Sequence, residues 1–131
     1  MPLVRIDYPD SLTSEQVSKL SETVHQSMIE TIRIPHDDKF QVLTPHPVAN
    51  LICDKNYLGV QRTAAFTVIH ITLRQGREPD KKAALYKELA ARVNKEVGIP
   101  VGDIMVVLAE NDLPDWSFGD GIGQYIQHKP V

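Results

Sequence analysis

The residue with the most distinctive potential chemistry in this sequence is Pro2, which follows Met1 and leads into the apolar run Leu3-Val4-Arg5-Ile6. Removal of an initiator methionine would leave proline with a secondary α-amine at the end of a strand. Because α-amino groups titrate at roughly 7.7–8.0 in model peptides, such an amine can act as a base, a nucleophile or a cationic acid. A proline at this position also fits a purely structural role as a strand-entry residue.

A second group of residues with potential chemistry lies in Thr72-Leu73-Arg74-Gln75-Gly76-Arg77. Two guanidinium groups at the end of a strand can bind a carboxylate through paired, charge-assisted hydrogen bonds. The alternative is a solvated loop that happens to contain two arginines. We expect Arg74 and Arg77 to lie near Pro2 if the first and third strands of the chain are neighbours in the sheet.

Metal and nucleotide chemistry have little support in the sequence. The five histidines form no HxxxH or HxH pair and lie on different predicted elements, and no cluster of cysteines accompanies them. They are His25, His36, His46, His70 and His128. The glycines between residues 119 and 123 do not follow a strand, so they do not resemble a phosphate-binding loop. We therefore predict no cofactor and no metal site.

Length and charge restrict the class of protein further. The chain has 131 residues, enough for one domain, and its net charge of -3 argues against a nucleic-acid partner. Cys53 is the only cysteine, which excludes an intrachain disulfide and fits a reducing compartment. The sequence contains no signal peptide pattern and no long apolar segment. We predict a cytoplasmic protein without a membrane partner.

The two halves of the chain resemble each other when they are aligned with a shift of 65 residues. The shift aligns Ile34-Pro35 with Ile99-Pro100 and Asp38 with Asp103, and it keeps the apolar positions of the predicted helices in register. We interpret this pattern as an internal duplication. The repeat units are residues 2–44 and 67–109, followed by a tail at 110–131, within a single domain spanning 1–131.

Each unit is predicted to contain a strand, a helix and a second strand, in that order. We predict strands at 3–8, 40–44, 66–73 and 104–108, one helix from the capping residues after Thr13 to Ile34-Pro35, and a second that opens at Pro79. This arrangement predicts an α+β fold with a four-stranded mixed sheet and two helices on one face. The first and third strands are expected to be central and parallel. The opposite sheet face would be bare in a monomer, which favours a symmetric oligomer.

The segments outside the two units also carry residues that need burial. Pro45 and Pro47 are expected to end the second strand, and the connection over residues 45–65 contains Leu51-Ile52 and Tyr57-Leu58, which we expect to be buried. The tail has too many aromatic residues for a disordered end. We expect it to pack on a neighbouring element or subunit.

These features resemble the tautomerase superfamily and, more narrowly, malonate semialdehyde decarboxylase and its relatives. Three segments carry the resemblance, which extends over nearly the whole chain. They are Pro2 with the residues that follow it, the segment from Ile34 to Leu43, and Asp115-Trp116-Ser117-Phe118-Gly119. The resemblance implies tandem β-α-β units and catalysis by an N-terminal proline.

The same resemblance implies a role for each site residue. Pro2 resembles the catalytic amine and Asp38 the acid beside it, although Asp37 is an adjacent alternative. Arg74 and Arg77 resemble the arginines that bind a substrate carboxylate, and relatives differ in which arginine they keep. The resemblance also implies that the hydrophobic wall of the site is formed by Trp116, Phe118 and Tyr125.

Three functions follow from the resemblance. The first is cofactor-independent decarboxylation of malonate semialdehyde or a similar small β-oxo acid. The second is keto-enol tautomerisation or hydration of small 2-oxo or unsaturated acids. The third is a non-catalytic trimeric binder of small molecules. In each case the expected partners are a small carboxylate and two further copies of the chain.

Overall fold

The computed structural model describes residues 1–127, in which four strands form one sheet and two long helices pack against it. This architecture confirms the predicted α+β fold with two helices on one sheet face. The elements are β1 (Pro2–Pro9), α1 (Ser14–Ile32), β2 (Gln41–His46), β3 (Thr67–Arg74), α2 (Pro79–Val97), β4 (Ile104–Asn111) and the short α3 (Gln124–Gln127). Within this range no helix is long and apolar enough to cross a membrane.

The two long helices begin and end through local chemistry. Thr13 and Gln16 form a capping box at the start of α1, where the Gln16 amide donates to the Thr13 hydroxyl over 3.1 Å. Pro79 lies in the first turn of α2, where its missing N–H costs nothing. Both helices end at a left-handed residue, Arg33 after α1 and Gly98 after α2. The two helices and their ends are thus separated by the same offset of 65 residues.

The sheet order is β2-β1-β3-β4, with β1 parallel to β2 and β3 parallel to β4. The prediction that β1 and β3 run parallel was wrong, because these two central strands are antiparallel. A helical crossover fixes the direction of strands within a unit, but it places no constraint on how two units meet. The antiparallel register places Pro2 opposite Leu73, so the beginning of β1 lies beside the end of β3.

The two faces of the sheet differ in burial. The face beneath the helices is apolar, and the side chains of Ile6, Ile69 and Ile71 are fully buried there. On the opposite face, Met105 and Val107 are exposed on β4, as is Val42 on β2. This face is bare in the isolated chain, as expected from the sequence.

Two local expectations were wrong. Pro45 does not end the second strand, since β2 is an edge strand and can include a residue without an N–H. The connection between the units leaves Ile52 86% exposed and Leu58 82% exposed rather than buried. Its shape depends on Arg62, whose guanidinium donates to the backbone carbonyls of Asp54, Tyr57 and Val60 at 3.1–3.2 Å.

Candidate active site

The chain terminus lies against a carboxylate. The Met1 ammonium is 2.5 Å from Asp38 Oδ2, and the two side chains are only 9% and 14% exposed. Asp38 lies in a turn after α1, where its amide donates to the Pro35 carbonyl over 3.1 Å. The Val4 amide donates to the Phe40 carbonyl and joins this segment to β1. The fold therefore brings Asp38 to the point where β1 and the buried Pro2 begin.

Arg74 is the last residue of β3 and pairs with Asn111, whereas Arg77 lies in the loop that follows. The guanidinium of Arg77 donates to the Arg74 carbonyl over 3.0 Å, and Arg74 Nε lies 3.5 Å from Asp112 Oδ1. Burial, followed by the positive charge of Arg74, lowers the pKa of Arg77. Arg77 remains charged at neutral pH. A bound carboxylate would offset the repulsion between the two positive charges, so the pair suits an anion.

The aromatic residues of the tail form a cluster around Phe118. Its ring is stacked on that of Trp116 with centroids 5.5 Å apart, and it makes an edge contact with Tyr125 at 5.8 Å. The ring of Phe40 lies 5.4 Å away and connects the cluster to the turn that carries Asp38. Gln124 fixes the loop, since its side-chain oxygen accepts from the Phe118 amide over 2.9 Å. We call Phe40, Trp116, Phe118 and Tyr125 the aromatic wall.

Two adjoining cavities border the aromatic wall, and both contact Phe40 and Phe118. The larger measures about 420 Å³ and is lined by Leu3, Phe40, Thr72, Asn111, Asp115, Trp116, Ser117 and Phe118. The smaller measures about 240 Å³ and is lined by Pro35, Asp37, Asp38, Phe40, Phe118 and Tyr125. Asp38 lines only the smaller cavity, whereas Thr72, Asn111 and Ser117 line only the larger one.

The structure brings most of the sequence-predicted residues into one region. Met1, Pro2 and Asp38 meet at one end, and Trp116, Phe118 and Tyr125 form one cluster. Arg74 and Arg77 occupy the neighbouring strand end but line neither of the two cavities.

Sequence reasoning had not assigned Phe40, Thr72 or Asn111 to the site, although all three line the larger cavity. Phe40 belongs to the segment from Ile34 to Leu43 that carries the family resemblance, but it was given no role in the site. Thr72 and Asn111 carry no signal in the sequence, because their positions in the site depend on which strands are neighbours.

The acid that corresponds to Asp38 in the second unit has a different environment. Asp103 is fully buried and accepts hydrogen bonds from both the backbone amide and the hydroxyl of Thr63, each over 2.5 Å. A carboxylate at this position of the fold thus stabilises the chain that enters the central strand. In the first unit, Asp38 contacts the Met1 ammonium instead.

Two of the histidines contact polar atoms of neighbouring segments, and Cys53 is a free, half-buried cysteine. His25 is buried in α1 and its ring nitrogen is 2.7 Å from the His36 carbonyl, while the His46 ring is 2.6 Å from an Asp7 oxygen. His70 lies opposite Arg5 on the bare sheet face. Across residues 1–127 no three His, Cys, Asp or Glu side chains form a group able to bind a metal ion. His128 lies outside the described residues.

Comparison with known proteins identifies the family. Two family models described as "Tautomerase enzyme" match residues 38–119 and 2–61. The chain is 42% identical to the probable tautomerase YusQ of Bacillus subtilis (strain 168), over 97% of this chain and 100% of that protein. Its fold matches the crystal structure of FG41 malonate semialdehyde decarboxylase inhibited by 3-bromopropiolate, with a TM-score of 0.92, 30% identity and 98% of both chains covered.

A more distant match extends the similarity of fold. A fused 4-OT wild-type symmetric trimer superimposes with a TM-score of 0.80 at 20% identity, over 97% of this chain and 99% of that one. The matches in sequence and the arrangement of two β-α-β units lead to the same assignment. The chain is a member of the tautomerase superfamily of enzymes.

Proposed function

We propose that this chain catalyses the cofactor-independent decarboxylation of malonate semialdehyde or a similar small β-oxo acid, with Pro2 as its N-terminal amine after removal of Met1. The observation that carries the proposal is the terminal ammonium held by Asp38 at 2.5 Å beside the aromatic wall. The similarity to FG41 malonate semialdehyde decarboxylase over 98% of both chains supports this choice of reaction.

The position of the amine after processing can be bounded from the structure. Successive backbone nitrogens are at most about 3.7 Å apart, and Asp38 Oδ2 is 2.5 Å from the Met1 nitrogen. The Pro2 nitrogen therefore lies within about 6 Å of this carboxylate, a range in which opposite charges interact strongly. Asp38 would stabilise the cationic form of the Pro2 amine.

A cationic amine suits decarboxylation of a β-oxo acid. The bond between the carboxylate carbon and the α-carbon breaks, its electron pair moves toward the carbonyl, and carbon dioxide leaves. The Pro2 ammonium would stabilise the developing oxyanion by hydrogen bonding, and protonation of the enolate at its α-carbon yields the aldehyde. In a covalent variant, neutral Pro2 forms an iminium with the carbonyl and releases water, and the iminium accepts the same electron pair to become an enamine. Protonation of the enamine at carbon and hydrolysis by water then release the aldehyde and restore the Pro2 amine.

The remaining site residues would bind and orient the substrate. Arg74 and Arg77 are proposed to bind its carboxylate, because their positive charges repel each other and the acids nearby, Asp112 and Glu110, are not buried. Trp116, Phe118 and Tyr125 would exclude water from the reacting group. A less hydrated carboxylate loses carbon dioxide more readily, since its charge moves away from the carboxylate to the carbonyl oxygen in the reaction.

A second candidate is keto-enol tautomerisation of a small 2-oxo acid. The name of the curated relative YusQ, a probable tautomerase at 42% identity, favours it. In this reaction Pro2 would act as a neutral base that removes a proton from one position and returns it at another. Asp38 distinguishes the two candidates, because a carboxylate beside the amine favours the cation.

We further propose that the chain functions as a homotrimer. The superimposable fused 4-OT structure is a trimer, and the face of the sheet that includes Val42, Met105 and Val107 is bare in this chain. Covering this face with a second and third copy would remove exposed apolar surface from water.

The proposed function is tested by measuring both reactions with the same preparation. Intact mass must first show that Met1 has been removed. We expect carbon dioxide release from malonate semialdehyde with a kcat/KM at least about tenfold above that for ketonisation of a 2-hydroxydienoate. The reverse order would support the tautomerase, and activity with neither substrate would overturn both candidates.

A further inference from the structure

Asn111 connects the arginine-bearing end of the sheet to the aromatic wall. It is the last residue of β4 and the register partner of Arg74, and its carbonyl accepts from the Gln75 amide over 2.8 Å. Its side-chain oxygen accepts a hydrogen bond from the indole nitrogen of Trp116, also over 2.8 Å. Because an indole N–H can only donate, this contact determines which atom of the carboxamide faces Trp116.

The other end of the same carboxamide has no hydrogen-bond partner among residues 1–127. Asn111 Nδ2 donates no hydrogen bond to these residues, whereas every fully buried polar side-chain atom in this range is paired. The nitrogen must therefore be accessible to solvent, and Asn111 lines the 420 Å³ cavity. The two N–H groups of this nitrogen are therefore unpaired within residues 1–127, on a residue that lines the cavity.

The cavity otherwise offers few donors to an anion. Its lining contains no lysine or arginine, and the indole N–H of Trp116 is already bonded to Asn111. Hydroxyl groups of Thr72 and Ser117 are present, together with one carboxylate from Asp115. A carboxylate or carbonyl oxygen that entered this cavity would find its amide donor at Asn111.

We propose that Asn111 is a substrate-binding residue that acts through both ends of its carboxamide. Its oxygen fixes the indole of Trp116, and its nitrogen donates to an oxygen of the substrate carboxylate or carbonyl. This inference rests on the proposed function, since it adds a neutral donor to the site that uses Arg74 and Arg77. It assigns to one side chain both the binding of the substrate and the orientation of the aromatic wall.

The test uses malonate as a non-reacting dicarboxylate and Trp116 as the reporter. Trp116 is the only tryptophan in the chain, so intrinsic emission at constant ionic strength reports on this ring alone. Asn111→Ala removes both hydrogen bonds. Asn111→Asp keeps an acceptor for the indole and replaces only the donor.

We expect both variants to weaken malonate binding at least about tenfold, because a hydrogen bond to a charged group is lost. Without malonate, the emission of Asn111→Asp should match that of the wild type, which also shows that this variant is folded, and that of Asn111→Ala should shift. Ser117→Asp is the matched control, because it introduces the same charge into the same cavity. It should weaken binding clearly less than Asn111→Asp.

Three results would overturn the inference. The first is that Asn111→Ala binds malonate within twofold of the wild type. The second is that Ser117→Asp and Asn111→Asp weaken malonate binding equally. The third is that the emission of the wild-type protein does not respond to malonate. Failure of the proposed function is a separate outcome. A wild-type protein that binds malonate through Asn111 but releases no carbon dioxide would refute the decarboxylase and leave this inference standing.

Discussion

Replacing Asp38 with Asn removes one negative charge beside the terminal amine while preserving the shape of the side chain. The carboxylate is 2.5 Å from the Met1 nitrogen, and it lies within about 6 Å of the Pro2 nitrogen by the geometry of the backbone. At 6 Å and an effective dielectric constant of about 20, two opposite charges attract by about 3 kcal/mol. Since Asp38 is 14% exposed, we reduce this to about 2 kcal/mol for solvent screening.

A loss of about 2 kcal/mol of stabilisation of the cationic amine corresponds to a decrease of about 30-fold in kcat/KM. The assay is the initial rate of acetaldehyde formation from malonate semialdehyde, coupled to NADH oxidation, with protein whose mass shows removal of Met1. Circular dichroism establishes that the Asp38→Asn variant is folded.

Asp37→Asn provides the matched control for this experiment. Asp37 is adjacent, exposed, and makes no ion pair among the described residues. We expect its kcat/KM to change by less than about threefold. Equal losses in both variants would mean that general negative charge rather than the contact with the amine is responsible. A loss below threefold in Asp38→Asn would refute the reasoning altogether.

Three further predictions concern the rest of the molecule. Arg74→Lys and Arg77→Lys keep the positive charge but lose the planar guanidinium that can form two hydrogen bonds to a carboxylate. In steady-state kinetics each should therefore raise KM for malonate semialdehyde about tenfold with little change in kcat. An unchanged KM in both variants would exclude these arginines from carboxylate binding. The backbone amide of Leu113, then Gln75 and Arg74, lower the pKa of Asp112. A lowered folded-state pKa stabilises the fold above the unfolded value of about 3.9, so Asp112→Asn should lower the urea midpoint at pH 7, and the difference should shrink as the pH falls through the lowered folded-state pKa. A difference independent of pH would contradict this linkage. Thr13→Ala removes the capping box of α1 and should lower the free energy of unfolding by about 1 kcal/mol, measured by urea unfolding at fixed protein concentration. An unchanged free energy of unfolding would mean that the cap is energetically neutral.

Most of the fold could be predicted from the sequence because local patterns determine it. Apolar spacing defined both long helices, and the capping residues after Thr13 located the start of α1. The relative direction of β1 and β3 could not be predicted, because it depends on how two crossover units pack together. The exposed Ile52 was also missed, since polar contacts of Arg62 shape that connection.

In the candidate site, too, some residues could be predicted from the sequence and others could not. Asp38 was suggested by its motif, and the structure brings it to the terminal amine. Asn111 had no such signal. Its importance appears only when the turn after β4 folds back and brings the Trp116 indole to its side chain.

The central claim is that the secondary amine of Pro2 performs the chemistry. The most direct test is kcat/KM for malonate semialdehyde with Pro2→Ala, from which Met1 is also removed, compared with the wild type. Alanine keeps an α-amine but lacks the ring that fixes it at the start of β1. The account predicts a loss of at least about tenfold, as expected for a displaced catalytic group. A Pro2→Ala protein that decarboxylates the substrate at the wild-type rate would contradict it.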